Sequence, residues 1–144
     1  MGREVRHVAA DWEHPVGENG QYDPIYNAGM PRWKPGEGTH YQMYENTSPG
    51  TPISPPMPTP EGLAHWLVEH KANAGLGQEA SFEAWLRVCN GKPAYSFECR
   101  GGQALNGVEA AYQAECSHDQ RERLSQLRSK RCNAEPAQKP NHRV

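Results

Sequence analysis

Pro49, Pro52, Pro55, Pro56, Pro58 and Pro60 fall within twelve residues. Each proline lacks an N–H and confines its predecessor to extended geometry. Neither a helix nor a central strand can run through such a segment, so it reads as polyproline II or irregular coil. It also divides the chain sharply. Before it, His40–Glu45 alternates, with Tyr41 and Met43 on one face and Gln42 and Tyr44 on the other, the pattern of a strand. At its end, Thr59-Pro60-Glu61 is a helix start. Thr59 can cap, Pro60 suits the first helical position, and Glu61 meets the positive end of the dipole. Leu63, Trp66, Leu67 and His70 then follow at helical spacing.

The remaining elements are shorter. Arg3–Val8 alternates weakly, as an edge strand would. From Asp11 to Gly38 the chain is dense in Gly, Pro, Asn and Asp, the residues of turns. Ala74-Gly75-Leu76-Gly77 ends the first helix. Ser81 caps a second, expected to bury Phe82, Trp85, Leu86 and Cys89, and Asn90-Gly91-Lys92-Pro93 stops it. Ala94–Cys99, Arg100-Gly101-Gly102 and Gln103-Ala104-Leu105 carry a hairpin signal, closed by Asn106-Gly107. A helix is expected from Val108 to about Lys130. Its apolar stripe, Val108, Ala111, Tyr112 and Cys116, gives out after Ser117, where only Leu124 and Leu127 remain. The chain from Arg131 reads as a loose tail. The expectation is an α+β fold: a small, mostly antiparallel sheet, two short helices and a longer C-terminal helix, with residues 1–116 compact and 117–144 a basic helix end and tail.

Composition limits the core. Leu, Ile, Val and Phe make up about 12% of the chain, below the roughly 20% of weakly globular sequences. Four Trp and six Tyr compensate in part, since each can bury roughly 150–250 Å². Charge is uneven. Residues 1–80 hold 5 basic and 10 acidic side chains, while residues 121–144 hold 7 basic and 2 acidic. No apolar run is long enough for a signal sequence or a membrane span.

Three blocks of sequence are specific enough to compare. The first is Asp11-Trp12-Glu13-His14-Pro15 with Gly20-Gln21-Tyr22 and Pro24. The second is His40-Tyr41-Gln42-Met43-Tyr44-Glu45 with Thr47-Ser48, Gly50-Thr51-Pro52-Ile53-Ser54-Pro55 and Thr59-Pro60-Glu61. The third is Leu63-Ala64-His65-Trp66-Leu67 with Phe82-Glu83-Ala84-Trp85-Leu86. Over about residues 5–110 the chain resembles a family of small proteins encoded by tailed bacteriophages and prophages, a family without assigned chemistry. Members often carry a long insertion between the first two blocks; here the link from Ile25 to Gly38 is short. After Ala111 the chain departs from the pattern, and nothing carries over there. The resemblance implies a phage origin and the bacterial cytoplasm. It implies no reaction.

Chemical signatures are sparse. Cys89, Cys99, Cys116 and His118 are zinc-ligand types, but they lack the paired Cys-x₂₋₄-Cys spacing of structural sites. His65 and His70 miss the i, i+4 spacing of metalloproteases, and read as a rim residue and a helix-end cation. No nucleophile elbow, phosphate loop or dinucleotide fingerprint occurs. Glu13 beside His14 is explained by a turn packed on Trp12. No cofactor, metal or catalytic residue is therefore expected. Binding is better supported. Trp12, Tyr22, Tyr26, Trp33, Tyr41 and Tyr44 look exposed, and Tyr, Trp and Arg dominate interface hot spots. Trp12, Trp33, Tyr41, Tyr44, Arg121 and Arg128 are the expected partner-binding residues. Pro52-Ile53-Ser54-Pro55 also matches Pro-x-x-Pro. The leading expectation is a non-enzymatic phage accessory protein that binds a host or phage protein, with inhibition of a bacterial defence or regulatory complex as its effect. The alternative is a nucleic-acid-associated regulator, whose Arg121, Arg123, Arg128, Lys130 and Arg131 neutralise phosphates.

Overall fold

A computed structural model describes residues 2–23, 30–46 and 50–132. The fold is α+β. In chain order its elements are β1 (Arg3–Val8), β2 (His40–Glu45), α1 (Pro60–Glu69), α2 (Phe82–Cys89), β3 (Phe97–Arg100), β4 (Gln103–Asn106) and α3 (Gly107–Cys132). The strands form two antiparallel pairs, β1 with β2 and β3 with β4. The chain divides into a compact unit, Met1–Tyr112, and a second unit, Gln113–Val144. Tyr26 and the tail from residue 133 lie outside the described residues, as do the side chains of Lys130 and Arg131.

β1 and β2 pair with Val5 opposite Met43 and His7 opposite Tyr41. The other edge of β2 is covered by the proline-rich segment. Ile53 and Met57 donate their N–H groups to Met43 and Tyr41, at 2.9 and 2.8 Å, while Tyr41 and Glu45 donate back to Met57 and Thr51. The segment is irregular, as its prolines demand, yet the few N–H groups it retains fall where β2 needs them. β2 is therefore flanked on both edges. One face of the sheet, with Val5, Tyr41 and Met43, joins the helical core. The opposite face, with Gln42 and Tyr44, is buried under the Asp11–Tyr22 loop, and Tyr44 is fully buried.

α1 starts as its sequence dictates: the Thr59 hydroxyl accepts from the Gly62 N–H and Pro60 opens the first turn. Ser81 caps α2 in the same way through Ala84. Leu63, Ala64 and Leu67 of α1 meet Ala84, Trp85, Val88 and Cys89 of α2 in one cluster with Met43, Ala74, Ala94 and Val108. The buried stripe of α2 is thus rotated from the expected one. Phe82 and Leu86 are only half-buried, because the small Ala84 lets the helix approach closely and turns Val88 inward. Trp66 is likewise half-buried, stacked on His70 with ring centroids 4.0 Å apart.

The β3–β4 hairpin is followed directly by α3. Asn106 ends β4 and caps α3, its Oδ1 accepting from the Glu109 N–H at 2.9 Å. A Cβ at Gly107 would overlap the Tyr95 carbonyl, so only glycine fits at this junction. Glu109 accepts from both the N–H and the hydroxyl of Ser81 at 3.0 Å, tying the start of α3 to the cap of α2. α3 stays helical through Cys132. No helix among the described residues is long and apolar enough to cross a membrane.

Candidate functional site

The Asp11–Tyr22 loop and the proline-rich segment meet along an open cleft of about 630 Å³. Its walls include Trp12, His14, Tyr22 and Trp66, with Pro52, Pro55 and Pro56 opposite. The loop is shaped by its own backbone. Gly17 donates to Gln21, Gly20 to Gly17 and Asp23 to Pro15, and Val16 bridges Tyr22. This tight hairpin presents Val16 and Tyr22 to solvent, at 55% and 49% exposure.

A polar chain fixes the floor. His14 is buried. Its Nε2 lies 2.6 Å from the Asp23 carbonyl, and a carbonyl oxygen only accepts, so this nitrogen carries a proton. Nδ1 lies 3.3 Å from the Tyr44 hydroxyl. Trp12 Nε1 donates to the same hydroxyl at 3.1 Å, and the hydroxyl donates to Gln42 Oε1 at 3.0 Å. Gln42 Nε2 donates to the Ser54 carbonyl at 2.8 Å. The Ser54 hydroxyl accepts from the Met43 N–H and donates to the Pro55 carbonyl. Around this chain the rings meet at steep angles. Trp12 packs edge-on against His14 and Trp33, with centroids 6.2 and 5.4 Å apart. Tyr22 meets His14 at 5.5 Å.

The chemistry of this arrangement is structural. Burial pushes the Tyr44 hydroxyl above its ordinary pKa, an effect only partly offset by the Trp12 hydrogen bond and by Arg6 over its ring. Tyr44 therefore relays hydrogen bonds as a neutral phenol. The Ser54 hydroxyl is committed at both ends, to the Met43 N–H and the Pro55 carbonyl. The buried polar groups Tyr44, Gln42 and Ser54 hold the walls together, which leaves the rings, the prolines and the exposed Glu13 to contact a ligand.

Several expected site residues move in consequence. Tyr44 is not an exposed contact but the buried centre of the chain, because the loop folds over its face of the sheet. Tyr41 faces the helical side, half-buried against the core and 4.7 Å from the His7 ring. Trp12 and Trp33 do lie together. Trp33 also borders a smaller recess of about 460 Å³ with Asp11 and Glu37, and its buried Nε1 has no hydrogen-bond partner among the described residues. Of the cleft residues only Trp12 is in the expected partner-binding set; His14, Val16, Tyr22, Trp66 and the prolines are among those missing from it. His14 stands out in sequence only as the neighbour of Trp12. In the separate unit Gln113–Val144, Arg121, Arg123 and Arg128 are exposed on α3.

The zinc-type residues are not brought together. Cys89 lies in the core, where burial pushes its thiol up to about 12. Cys99 is exposed on β3 and Cys116 is half-exposed on α3. Among the described residues, the group with metal-ligand geometry is His118, Asp119 and Glu122, all exposed on one helix. They are neighbours such as any charged helix surface provides.

Comparison with known protein families, characterised proteins and solved structures finds no match to this chain.

Proposed function

We propose that this is a bacteriophage accessory protein that acts without catalysis, by binding a host or phage protein in the bacterial cytoplasm. Its effect on that partner is inhibitory, directed at a defence or regulatory complex. The observation that carries the binding reading is the cleft. It offers aromatic rings and prolines on a frame braced by the Tyr44–Gln42–Ser54 hydrogen bonds, with the exposed Glu13 carboxylate at its wall. A surface of this kind favours an apolar or aromatic anchor from a partner, because the anchor displaces water without orphaning any buried polar group. The phage origin rests on the three sequence blocks, each of which contributes residues to this cleft. The alternative reading, a nucleic-acid regulator, draws support from the exposed Arg121, Arg123 and Arg128 on α3.

The test is capture from infected-cell lysate with matched variants. Val16→Asp with Tyr22→Ala alters the exposed cleft wall and should abolish one specific captured protein at unchanged melting temperature. Replacing Arg121, Arg123 and Arg128 with Gln should leave that capture intact. Loss of capture only in the arginine variant, accompanied by nucleic acid, would overturn the cleft reading in favour of the alternative.

A further inference from the structure

The β3–β4 hairpin has two outer edges, and they are treated differently. On β4 the edge is closed by one side chain. Gln78 Nε2 donates to the Ala104 carbonyl at 3.1 Å, and its Oε1 accepts from the Asn106 N–H at 2.9 Å. These are the two backbone groups a neighbouring strand would engage, so the Gln78 amide stands in for a peptide unit. The same bonds fix the geometry of β3. Asn106 pairs with Phe97, and Ala104 with Cys99. At such positions of an antiparallel ladder both partners turn their N–H and C=O groups away from each other. Phe97 and Cys99 therefore point their backbone groups outward. Among the described residues nothing pairs with that edge, and all four residues of β3 are exposed. Phe97 is 54% exposed and Tyr95 beside it 79%.

We propose that the outer edge of β3 is a self-association site, which pairs antiparallel with β3 of a second copy about a two-fold axis through Cys99. The charges select this register. Outward groups at Phe97 and Cys99 allow three alignments: Cys99 opposite Cys99, Phe97 opposite Cys99, or Phe97 opposite Phe97. The first sets Glu98 of each copy opposite Arg100 of the other. The second sets Glu98 against Glu98, and like charges directly opposite are destabilising. The third leaves Glu98 opposite Ser96. Glu98 and Arg100 already pair within each strand, at 2.7 Å; only the first alignment adds two Glu–Arg pairs between the copies, related by symmetry, and so joins the two within-strand pairs into one alternating cluster of four charges. It also sets Phe97 opposite Gly101, which leaves room for the ring. Edge strands are commonly protected from pairing by shortness and charge; here the charge pattern repels a chance strand and suits its own copy. With four residues per copy the association is weak and concentration-dependent. The site is independent of the aromatic cleft.

The test is sedimentation equilibrium of the full chain up to about 1 mM, the weak end of measurable association. The wild type should show a monomer–dimer equilibrium. Glu98→Arg and Arg100→Glu should each weaken it about tenfold or more, since each turns both cross-strand pairs repulsive. An equimolar mixture of the two variants should restore dimerisation, because the arginine introduced in one then faces the glutamate introduced in the other. With Cys116 and Cys132 changed to Ser, a short bis-maleimide should link Cys99 to Cys99 in the wild-type edge and in the mixture, but in neither variant alone. A wild type that stays monomeric, single variants that dimerise as well as the wild type, or a mixture that does not associate would each overturn the proposal.

Discussion

The burial of Cys89 can be read out as a pH dependence. The side chain is 1% exposed, and its thiol is pushed from 9.0 up to about 12, chiefly by burial. The folded state thus holds its proton more tightly than the unfolded chain. Below pH 9 both states are protonated and the contribution to stability is fully present. Between pH 9 and 12 only the unfolded thiol ionises, and stability falls. The gap of about three pH units, at 1.36 kcal/mol each, amounts to about 4 kcal/mol, of which about 2 kcal/mol is lost by pH 10.5. Cys89→Ala removes one buried heavy atom and should cost about 1 kcal/mol at neutral pH. Because the variant lacks the alkaline loss, urea melts should show its deficit shrinking above pH 9, vanishing at about pH 9.7, and turned into an advantage of about 1 kcal/mol by pH 10.5. The Tyr44 hydroxyl, also raised by burial, adds a decline above pH 10 that both proteins share. Parallel decline of wild type and variant would refute the reasoning. So would alkylation of Cys89 in the folded protein as fast as that of the exposed Cys99.

Trp85→Ala should cost about 3–5 kcal/mol, because a fully buried indole in so small a core cannot be replaced by collapse; an unchanged melting temperature would contradict the packing. Asn106→Ala strips the cap from α3 and leaves the Glu79 carbonyl without its donor. The expected loss is about 1–3 kcal/mol, seen as faster hydrogen exchange at the start of α3. Replacing Arg121, Arg123 and Arg128 with Gln should leave the melting of Met1–Tyr112 unaltered. If the nucleic-acid reading holds, the same variant should weaken binding and flatten its dependence on salt.

The local chemistry of caps and turns makes most elements legible. Thr59-Pro60-Glu61 and Ser81 mark helix starts that the structure keeps, and the alternation in Arg3–Val8 and His40–Glu45 marks the sheet. What sequence does not reveal is which face of each element is covered. Tyr44 looks exposed only if its strand is half-buried. Yet a strand with Met43 on one face and Tyr44 on the other carries large apolar surface on both, the mark of a strand covered twice. The stripe of α2 lies one step from the expected one because Phe82 and Leu86 outweigh Ala84 and Val88 in size, whereas closeness of approach decides the packing. The Gln78 amide cannot be anticipated at all, since its role depends on Ala104 and Asn106, 26 and 28 residues further along the chain.

The proline-rich segment beside β2 has one further consequence. Its pairing uses two donors, Ile53 and Met57. Slide the segment by one residue in one direction and both donor positions become prolines, 52 and 56. Slide it by one the other way and Pro58 occupies one of them. A slide of two residues either way places Pro55 there. Every small misalignment therefore forfeits at least one hydrogen bond that the native alignment keeps, so the prolines work like the cuts of a key. Pro52→Ala with Pro56→Ala would remove no native hydrogen bond, yet it would admit an alternative that the wild-type chain forbids. The spacing of the prolines thus acts on the competing structures as much as on the native one.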